Sequence, residues 1–255
     1  MIGYSGGVDS TLLAKAATDA LGERAVCVLV DSCLVPRAEI DGAVVRAQEM
    51  GLNLVRIEID PLAAENVPEN TAERCYFCKK AVFGTLCEIA SQRGLPYVLD
   101  GCNADDESDY RPGTKATAEL GVRSPLKELG LTKELIRAIS REIGLETWNK
   151  PSFACLASRI PYGTPLTREV LWQVEEAENV LRLLGFRQFR VRHHGNVARI
   201  ELMPLEMGRL TSPSVRRHVV EAFKEIGYAY VALDLAGYRM GSMNDVLTET
   251  KETED

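Results

Sequence analysis

An α/β fold, a parallel doubly wound sheet followed by a smaller α+β domain, is what the order of segments along this 255-residue chain predicts. Three observations carry that expectation. Short apolar runs alternate with amphipathic helical patterns through the first hundred residues, the signature of βαβ units. The alternation then breaks at a stretch punctuated by proline and glycine. Beyond the break the order changes to helix, strand, strand, helix, strand.

Ile2–Tyr4 opens as a strand and Thr11–Leu21 has helical spacing. Ala25–Asp31 (AVCVLVD) is a buried strand rich in valine and leucine. Arg37–Met50 is a helix closed by Gly51, in the position a helix C-cap prefers, and Leu54–Asp60 is a third strand. A helix over Lys79–Gln92 and a fourth strand over Tyr97–Asp100 complete this half. The KPSFACLASRIPYGTPLT stretch reads as a linker or functional loop. After it come a helix over Arg168–Leu184, strands at Gln188–Arg192 and Val197–Leu202 around a His-Gly-Asn turn, a helix over Val215–Ile226 and a last strand at Tyr230–Leu233. The helix presents Val170, Val174, Ala177, Leu181 and Leu184 as a core stripe, part of which can serve self-association. The expected organisation is a first domain over 1–148, a loop over 149–167, a second domain over 168–243 and a polar tail over 244–255.

Composition narrows the function classes. No apolar run reaches the roughly 18–20 residues that span a bilayer and no signal pattern opens the chain, so a cytoplasmic protein is expected. Seven cysteines are an odd count and too few for a disulfide scaffold of this length, which favours thiols used for metal or redox chemistry. Residues 1–150 hold 17 basic and 23 acidic side chains, whereas 151–240 hold 12 basic and 9 acidic. That mild basicity fits a local anion site and speaks against a nucleic-acid partner. Eleven of the twelve cations in the second segment are arginines, whose planar guanidinium binds phosphate or carboxylate bidentately.

The loop Tyr4-Ser5-Gly6-Gly7-Val8-Asp9-Ser10 lies between a strand and a helix. Gly6 and Gly7 let backbone approach an anion, the helix N–H groups point at it, Ser5 and Ser10 add hydroxyls, and Asp9 can hold magnesium. The spacing and lysine of a Walker loop are absent. An Asp/Ser helix cap after a glycine turn is the bland alternative. Asp31 and Gly101, at the carboxyl ends of predicted strands, complete the expected ATP site. The acidic loop from Asp100 to Gly113 follows Tyr97–Asp100 and includes Asp106, a candidate for catalysis; a solvated acidic loop is its alternative.

Cys75 and Cys78 form a C-x-x-C pair among Arg74, Lys79 and Lys80. Zinc, an iron–sulfur cluster, a redox disulfide and a chance pair all fit it. Cys155 stands in the interdomain stretch beside Ser158 and Arg159. Cys27, Cys33, Cys87 and Cys102 read as packing residues. Arg190 and Arg192 alternate on one predicted strand with Glu201 on its neighbour, so with Ser158 and Arg159 they are candidates for a substrate phosphate and carboxylate. Ordinary surface arginines paired with Glu175, Glu176 and Glu178 are the alternative. His193 and His194 read as turn-packing residues.

The SGGVDS loop matches the pyrophosphate-loop (PP-loop) signature of the adenine nucleotide alpha hydrolases. Taken with RCYFCKK, DGCNADDESDYRPG, KPSFACLASRIPYG, RVRHHGNVARIE and GYRMGSMN, it resembles the LarE family of ATP-dependent sulfur transferases across nearly the whole chain. The resemblance implies that ATP adenylates the carboxylates of pyridinium-3,5-biscarboxylic acid mononucleotide, on the route to the nickel-pincer cofactor of lactate racemase, and that sulfur converts them to thiocarboxylates. One branch of the family sacrifices the sulfur of a lone cysteine in the position of Cys155. The other holds a 4Fe-4S cluster on three cysteines, and with Cys75, Cys78 and Cys155 this chain resembles it; a zinc ion on the same three thiols or a persulfide relay would need the same residues. Sulfide or another sulfur donor, Mg2+ and a homo-oligomer are further implications. The chain starts almost on its first strand where relatives have a preceding helix, so that sheet edge is expected to be less covered. A tRNA thiolase, an amide-forming synthetase and a noncatalytic adenine-nucleotide or redox sensor are the competing readings.

Overall fold

In the computed structural model, which describes residues 1–107 and 112–239, the chain divides into two units, Met1–Phe153 and a second that begins at Ala154. The first unit opens with β1 (Ile2–Tyr4), α1 (Val8–Leu21), β2 (Val26–Asp31), α2 (Arg37–Glu49) and β3 (Asn53–Glu58). The three strands form a parallel sheet in the order β1-β2-β3. Period-two alternation assigns its faces. Ile2, Tyr4, Cys27 and Leu29 pack with Leu12 and Leu13 of α1 and Ile40, Ala43 and Ala47 of α2. Val26 and Val28 point the other way, into a cluster with Phe83, Leu86 and Ala90 of α3 (Arg74–Gln92). With helices on both faces, β2 is the buried apolar run the sequence leads one to expect, whereas β3, at the edge of the three, is only partly buried and carries Arg56 and Glu58.

The fourth expected strand is reduced to single-residue bridges. Leu99 pairs in parallel with Ile2 on one side and with Arg123 on the other, through Gly3 N–H to Leu99 O and Leu99 N–H to Met1 O, both 2.9 Å. Pro96, which has no N–H to give, precedes this point and the chain turns away at Gly101, so the ladder has no length in which to grow. Even so, β1 has parallel neighbours on both edges. It therefore marks the point where the strand order reverses, and ligands bind at the carboxyl end of such a point.

α3 begins at Arg74, five residues before the expected start, and so contains both cysteines of the C-x-x-C pair. Its first turns are buttressed by α4 (Pro112–Glu119), which comes close at Gly113: a Cβ there would lie 2.7 Å from Lys79 Cδ and 3.2 Å from Cys75 O, so a larger residue would have to push the Lys79 side chain aside. α4, α5 (Pro125–Glu128) and α6 (Lys133–Glu142) occupy a segment to which the alternation argument assigns no element. Thr132 caps α6, its hydroxyl accepting from Leu135 N–H at 3.3 Å.

The second unit contains α7 (Arg168–Leu183), β4 (Phe189–His194), β5 (Val197–Leu202), α8 (Pro204–Thr211), α9 (Pro213–Ile226) and β6 (Tyr230–Leu233). β4 and β5 are antiparallel around Gly195, whose φ of 62° suits a tight turn, and β6 adds to β5 in parallel. Val191, Ala198, Ile200 and Leu202 pack beneath Ala177 and Leu181 of α7 and Val219 and Phe223 of α9. The α7 stripe differs by one position from expectation: Leu171, not Val170, is buried with Val174, Ala177 and Leu181, while Leu184 is only partly buried. No helix among the described residues is long and apolar enough to cross a membrane. The expected tail over 244–255 and part of the acidic loop lie outside the described residues.

Phe223 is fully buried. Phe223→Ala is expected to lower the stability of the second unit by about 3–5 kcal/mol in urea unfolding followed by circular dichroism.

Candidate active site

At the end of β1 the backbone leaves the sheet at Ser5, and Gly6 takes a φ of 67°. A Cβ on Gly6 would lie 2.7 Å from Ala43 Cβ and 2.9 Å from Arg46 Nη2, so both conformation and space exclude a side chain here. Two cations hold the loop from behind: Arg46 Nη2 and Lys150 Nζ donate to the Gly6 carbonyl at 3.3 and 2.9 Å. Lys150 also pairs with Glu39 at 2.7 Å. Burial lowers the pKa of Lys150, and Glu39 opposes that shift. Inside the loop Ser5 Oγ and Ser10 Oγ are 3.0 Å apart, and Ser10 Oγ accepts from Ser5 N–H at 3.2 Å. Gly7 is the N-cap of α1, and among the described residues no side chain caps this helix, so its first N–H groups are left for an anion.

Opposite the loop stands Gly101, where a Cβ would lie 3.0 Å from Ser10 N and 3.2 Å from Ser10 Cα. That approach brings the acidic segment against the start of α1. Asn103, fully buried, organises it: its N–H donates to Asp106 Oδ2 at 3.0 Å, its Oδ1 accepts from Asp105 N–H at 2.9 Å, and its Nδ2 donates to Asp9 Oδ1 at 3.3 Å. Asp9 Oδ2 is bonded to Lys133 Nζ. Both Asp9 oxygens are thus engaged, Oδ2 by an ammonium placed where a divalent ion held by this one carboxylate and by phosphates would sit.

Asp31, at the carboxyl end of β2, is buried and bonded to Arg37 and to Arg56, whose Nε lies 2.9 Å away. Burial alone would raise its carboxyl pKa, but the hydrogen bonds from Arg56 and Arg37 hold it below the usual carboxylate range. Cys102 donates to Asp100 Oδ2 at 3.1 Å and accepts from Lys79 Nζ at 3.9 Å. Burial pushes its thiol up to about 12, Lys79 opposing and Asp100 adding to the shift. Cys27 is buried in β2 as expected, and burial pushes its thiol up to about 11.

Cys75 and Cys78 are half-buried, three residues apart on the first turns of α3. Arg74 Nη2 lies 3.7 Å from Cys75 Sγ. None of the seven cysteines is in a disulfide, so the thiols remain available as soft ligands. Cys155 belongs to the second unit. Within either unit, among the described residues, no three His, Cys, Asp or Glu side chains converge to hold a metal ion.

In the second unit the turn that follows Cys155 is fixed by arginine. Arg159 is buried; its Nε and Nη2 meet both oxygens of Glu178 at 2.9 and 3.1 Å, and its Nη1 donates to Ala154 O, Cys155 O and Ser158 Oγ at 2.6, 2.9 and 2.9 Å. Glu178 Oε1 also accepts from the edge N–H of Val191 at 3.2 Å. Ser158 Oγ donates to Cys155 O at 2.7 Å. Arg192 makes the matching fork with Glu201, both contacts 2.9 Å, and its Nη1 donates to Ser158 O at 2.6 Å. Register pairs Arg190 with Glu201 and Arg192 with Arg199, which places these side chains on one face. Arg190 donates to Phe189 O at 2.7 Å and lies over the Tyr238 ring; burial lowers its pKa. His193 packs against Tyr228, its Nδ1 3.2 Å from the phenol oxygen, and His194 accepts from Arg199 Nε at 3.2 Å.

Ser5, Gly6, Gly7, Asp9, Ser10, Gly101 and Asp106 are thus brought together in the first unit, and Cys155, Ser158, Arg159, Arg190, Arg192 and Glu201 in the second. Sequence reading singles out none of Asn103, Lys133 and Lys150, although Asn103 lies in the DGCNADDESDYRPG string and Lys150 in KPSFACLASRIPYG; Glu178 it offers as an ordinary ion-pair partner of the arginines, and the structure pairs it with Arg159 in the core.

A parallel sheet whose first strand ends in this loop defines a nucleotide-binding α/β domain of the PP-loop class, and the family model described as NAD synthase matches residues 1–81. Over the whole chain the likeness is more specific. Pyridinium-3,5-bisthiocarboxylic acid mononucleotide synthase of Lactiplantibacillus plantarum is 41% identical over 98% of this chain and 90% of that protein. An uncharacterised protein of Synechocystis sp. is 44% identical over 98% of the chain and 93% of its own length, and another of Methanocaldococcus jannaschii is 30% identical over 94% and 90%. The chain belongs to the family of the Lactiplantibacillus synthase, the LarE family, and is an enzyme of it.

Removing Glu178 leaves a buried guanidinium without its counter-charge. Glu178→Ala is expected to cost about 3–5 kcal/mol, read as a lower urea midpoint.

Proposed function

We propose that this enzyme converts the carboxylates of pyridinium-3,5-biscarboxylic acid mononucleotide into thiocarboxylates, forming AMP and pyrophosphate. The observation that carries the reading is the Ser5–Ser10 loop, pinned from behind at Gly6 and open at the first turn of α1, in a chain 41% identical to that synthase along almost its full length. The N–H groups of the loop bind the leaving pyrophosphate, and the Ser5 and Ser10 hydroxyls orient it. A substrate carboxylate oxygen attacks the α-phosphorus and the bond to the β-phosphate oxygen breaks; sulfide then attacks the acyl carbon and AMP leaves. Asp9 would hold Mg2+, which supplies charge neutralisation to the phosphates, and Asn103 fixes the Asp9 carboxylate by its hydrogen bond to Oδ1. Asp106 acts by holding Asn103, and Gly101 by letting the acidic segment reach α1. Asp31, already bonded to two arginines, shapes the adjoining strand end.

Cys75, Cys78 and Cys155 are the proposed ligands of a 4Fe-4S cluster. Three thiolates suit iron, and when bound the cluster supplies one iron without a protein ligand, able to carry the transferable sulfide. Arg190 and Arg192 are the proposed anion ligands for the substrate phosphate and carboxylate, with Glu201 fixing the Arg192 fork. Arg159 and Ser158 act by positioning the turn at Cys155. Sulfide or another sulfur donor, a homo-oligomeric assembly and no nucleic-acid partner belong to the same reading.

Anaerobically purified protein is expected to be brown and to contain about four irons per chain, and Cys75→Ser, Cys78→Ser or Cys155→Ser to lose the colour. A colourless protein that takes up zinc instead, even after cluster reconstitution, would overturn the cluster. Asp9→Asn is expected to slow pyrophosphate release by about a hundredfold or more without altering the thermal midpoint; near-normal release would remove Asp9 from the metal role.

A further inference from the structure

Lys133 is oddly placed for a residue of α6. It is the first residue of the helix, where the positive end of the helix dipole disfavours a cation. Its backbone N–H donates to Asp105 Oδ2 at 2.8 Å, and Ala104 N–H donates to Leu131 O at 2.9 Å, so the start of α6 is stitched to the acidic segment. From that anchor the side chain reaches back to α1 and bonds Asp9 Oδ2, while Asn103 Nδ2 takes Oδ1 at 3.3 Å. Both oxygens of the carboxylate best suited to a divalent ion are therefore engaged. The pair is not sealed: the Lys133 and Asp9 side chains are 33% and 20% exposed, so an ion pair this accessible to water can be displaced at small cost.

We propose that Lys133 is a counter-ion that keeps Asp9 from binding a divalent cation until a triphosphate arrives. In the nucleotide-free enzyme a metal approaching Asp9 must displace or sit beside the ammonium, which repels it. A triphosphate changes the balance by offering the ammonium an anion of its own. The Lys133–Asp9 pair then exchanges partners, the lysine moving onto the phosphates and the carboxylate onto the metal that the nucleotide carries. No bond is made or broken beyond these ion pairs. The enzyme thus takes up metal as part of the metal–nucleotide complex and presents no competent metal site without it. The inference rests on the reading of Asp9 as the magnesium ligand.

The test is binding of Mn2+ to the full-length protein without nucleotide, read by electron paramagnetic resonance, with ATP binding by calorimetry alongside. Lys133→Met is expected to bind Mn2+ about tenfold or more tightly than the wild type, Lys133→Arg to bind it no better, and Lys133→Met to bind ATP more weakly in the presence of a chelator. Mn2+ affinity of Lys133→Met equal to that of the wild type overturns the proposal; should that variant fail to fold by circular dichroism, Lys133→Gln is read in the same way. Asp9→Asn separates the two readings. If it loses the Mg2+-dependent gain in ATP affinity while Lys133→Met gains no Mn2+, the metal assignment stands and the counter-ion role falls. If Asp9→Asn keeps that gain, the metal assignment itself is wrong and the proposal falls with it.

Discussion

Three residues of backbone, Ile2 to Tyr4, hydrogen-bonded in parallel on both edges, constrain the whole nucleotide unit. With β2 on one side and Leu99 on the other, β1 cannot shift, and its chain must leave the sheet at Ser5. The reversal of strand order around it brings together elements far apart in sequence: the loop after β1, the acidic segment after Leu99 and the start of α6. Each is then fastened by one small device. Gly6 lies against Ala43, Gly101 against Ser10, and Asn103 hydrogen-bonds to Asp9, Asp105 and Asp106. The binding geometry follows from a backbone ladder first and from side chains second.

The second unit solves a different problem. The turn after Cys155 is irregular backbone, and irregular backbone holds its shape only when its carbonyls have partners. Arg159 supplies them from within the core, bonding the carbonyls of Ala154 and Cys155 while Glu178 neutralises its charge. Arg192 does the same from the sheet face, on the carbonyl of Ser158, with Glu201 as its counter-charge. Two guanidinium–carboxylate forks on either side of one short turn leave the cysteine at its head few conformations. Lysine in either place could not make the fork and reach a carbonyl with the same group.

Much of this was legible in the sequence, and the failures have physical causes. The loop was legible because SGGVDS sits where apolar alternation ends one strand and begins one helix. β5 and β6 were placed to the residue because each is a short run rich in apolar residues with clear local stops, Gly195-Asn196 before β5, Pro204 soon after it and Asp234 directly after β6. Tyr97–Asp100 read as a strand because composition does not reveal that Pro96 and Gly101 leave Leu99 alone to make the ladder. The start of α3 was placed late because its first turns are held by packing against Gly113, a long-range contact with no local signal. Asn103 was missed for the same reason, a buried polar residue whose importance lies in which distant atoms it reaches, and Glu178 was read as a surface partner of arginines because nothing local reveals its burial. Arg159 was found by its position next to Cys155, but its full enclosure could not be read from the sequence.

The thiol of Cys102 acquires a meaning from its neighbours that its packing alone would not suggest. An acyl adenylate is an electrophile, and a nucleophilic sulfur near it that is not the intended donor would divert it into a dead-end thioester on the protein. Held between Asp100 and Lys79 and pushed up to about 12, Cys102 remains a protonated thiol and so a poor nucleophile. On the proposed reading, in which two carboxylates are activated in turn, a thiol held protonated at this place does not compete with the sulfur donor.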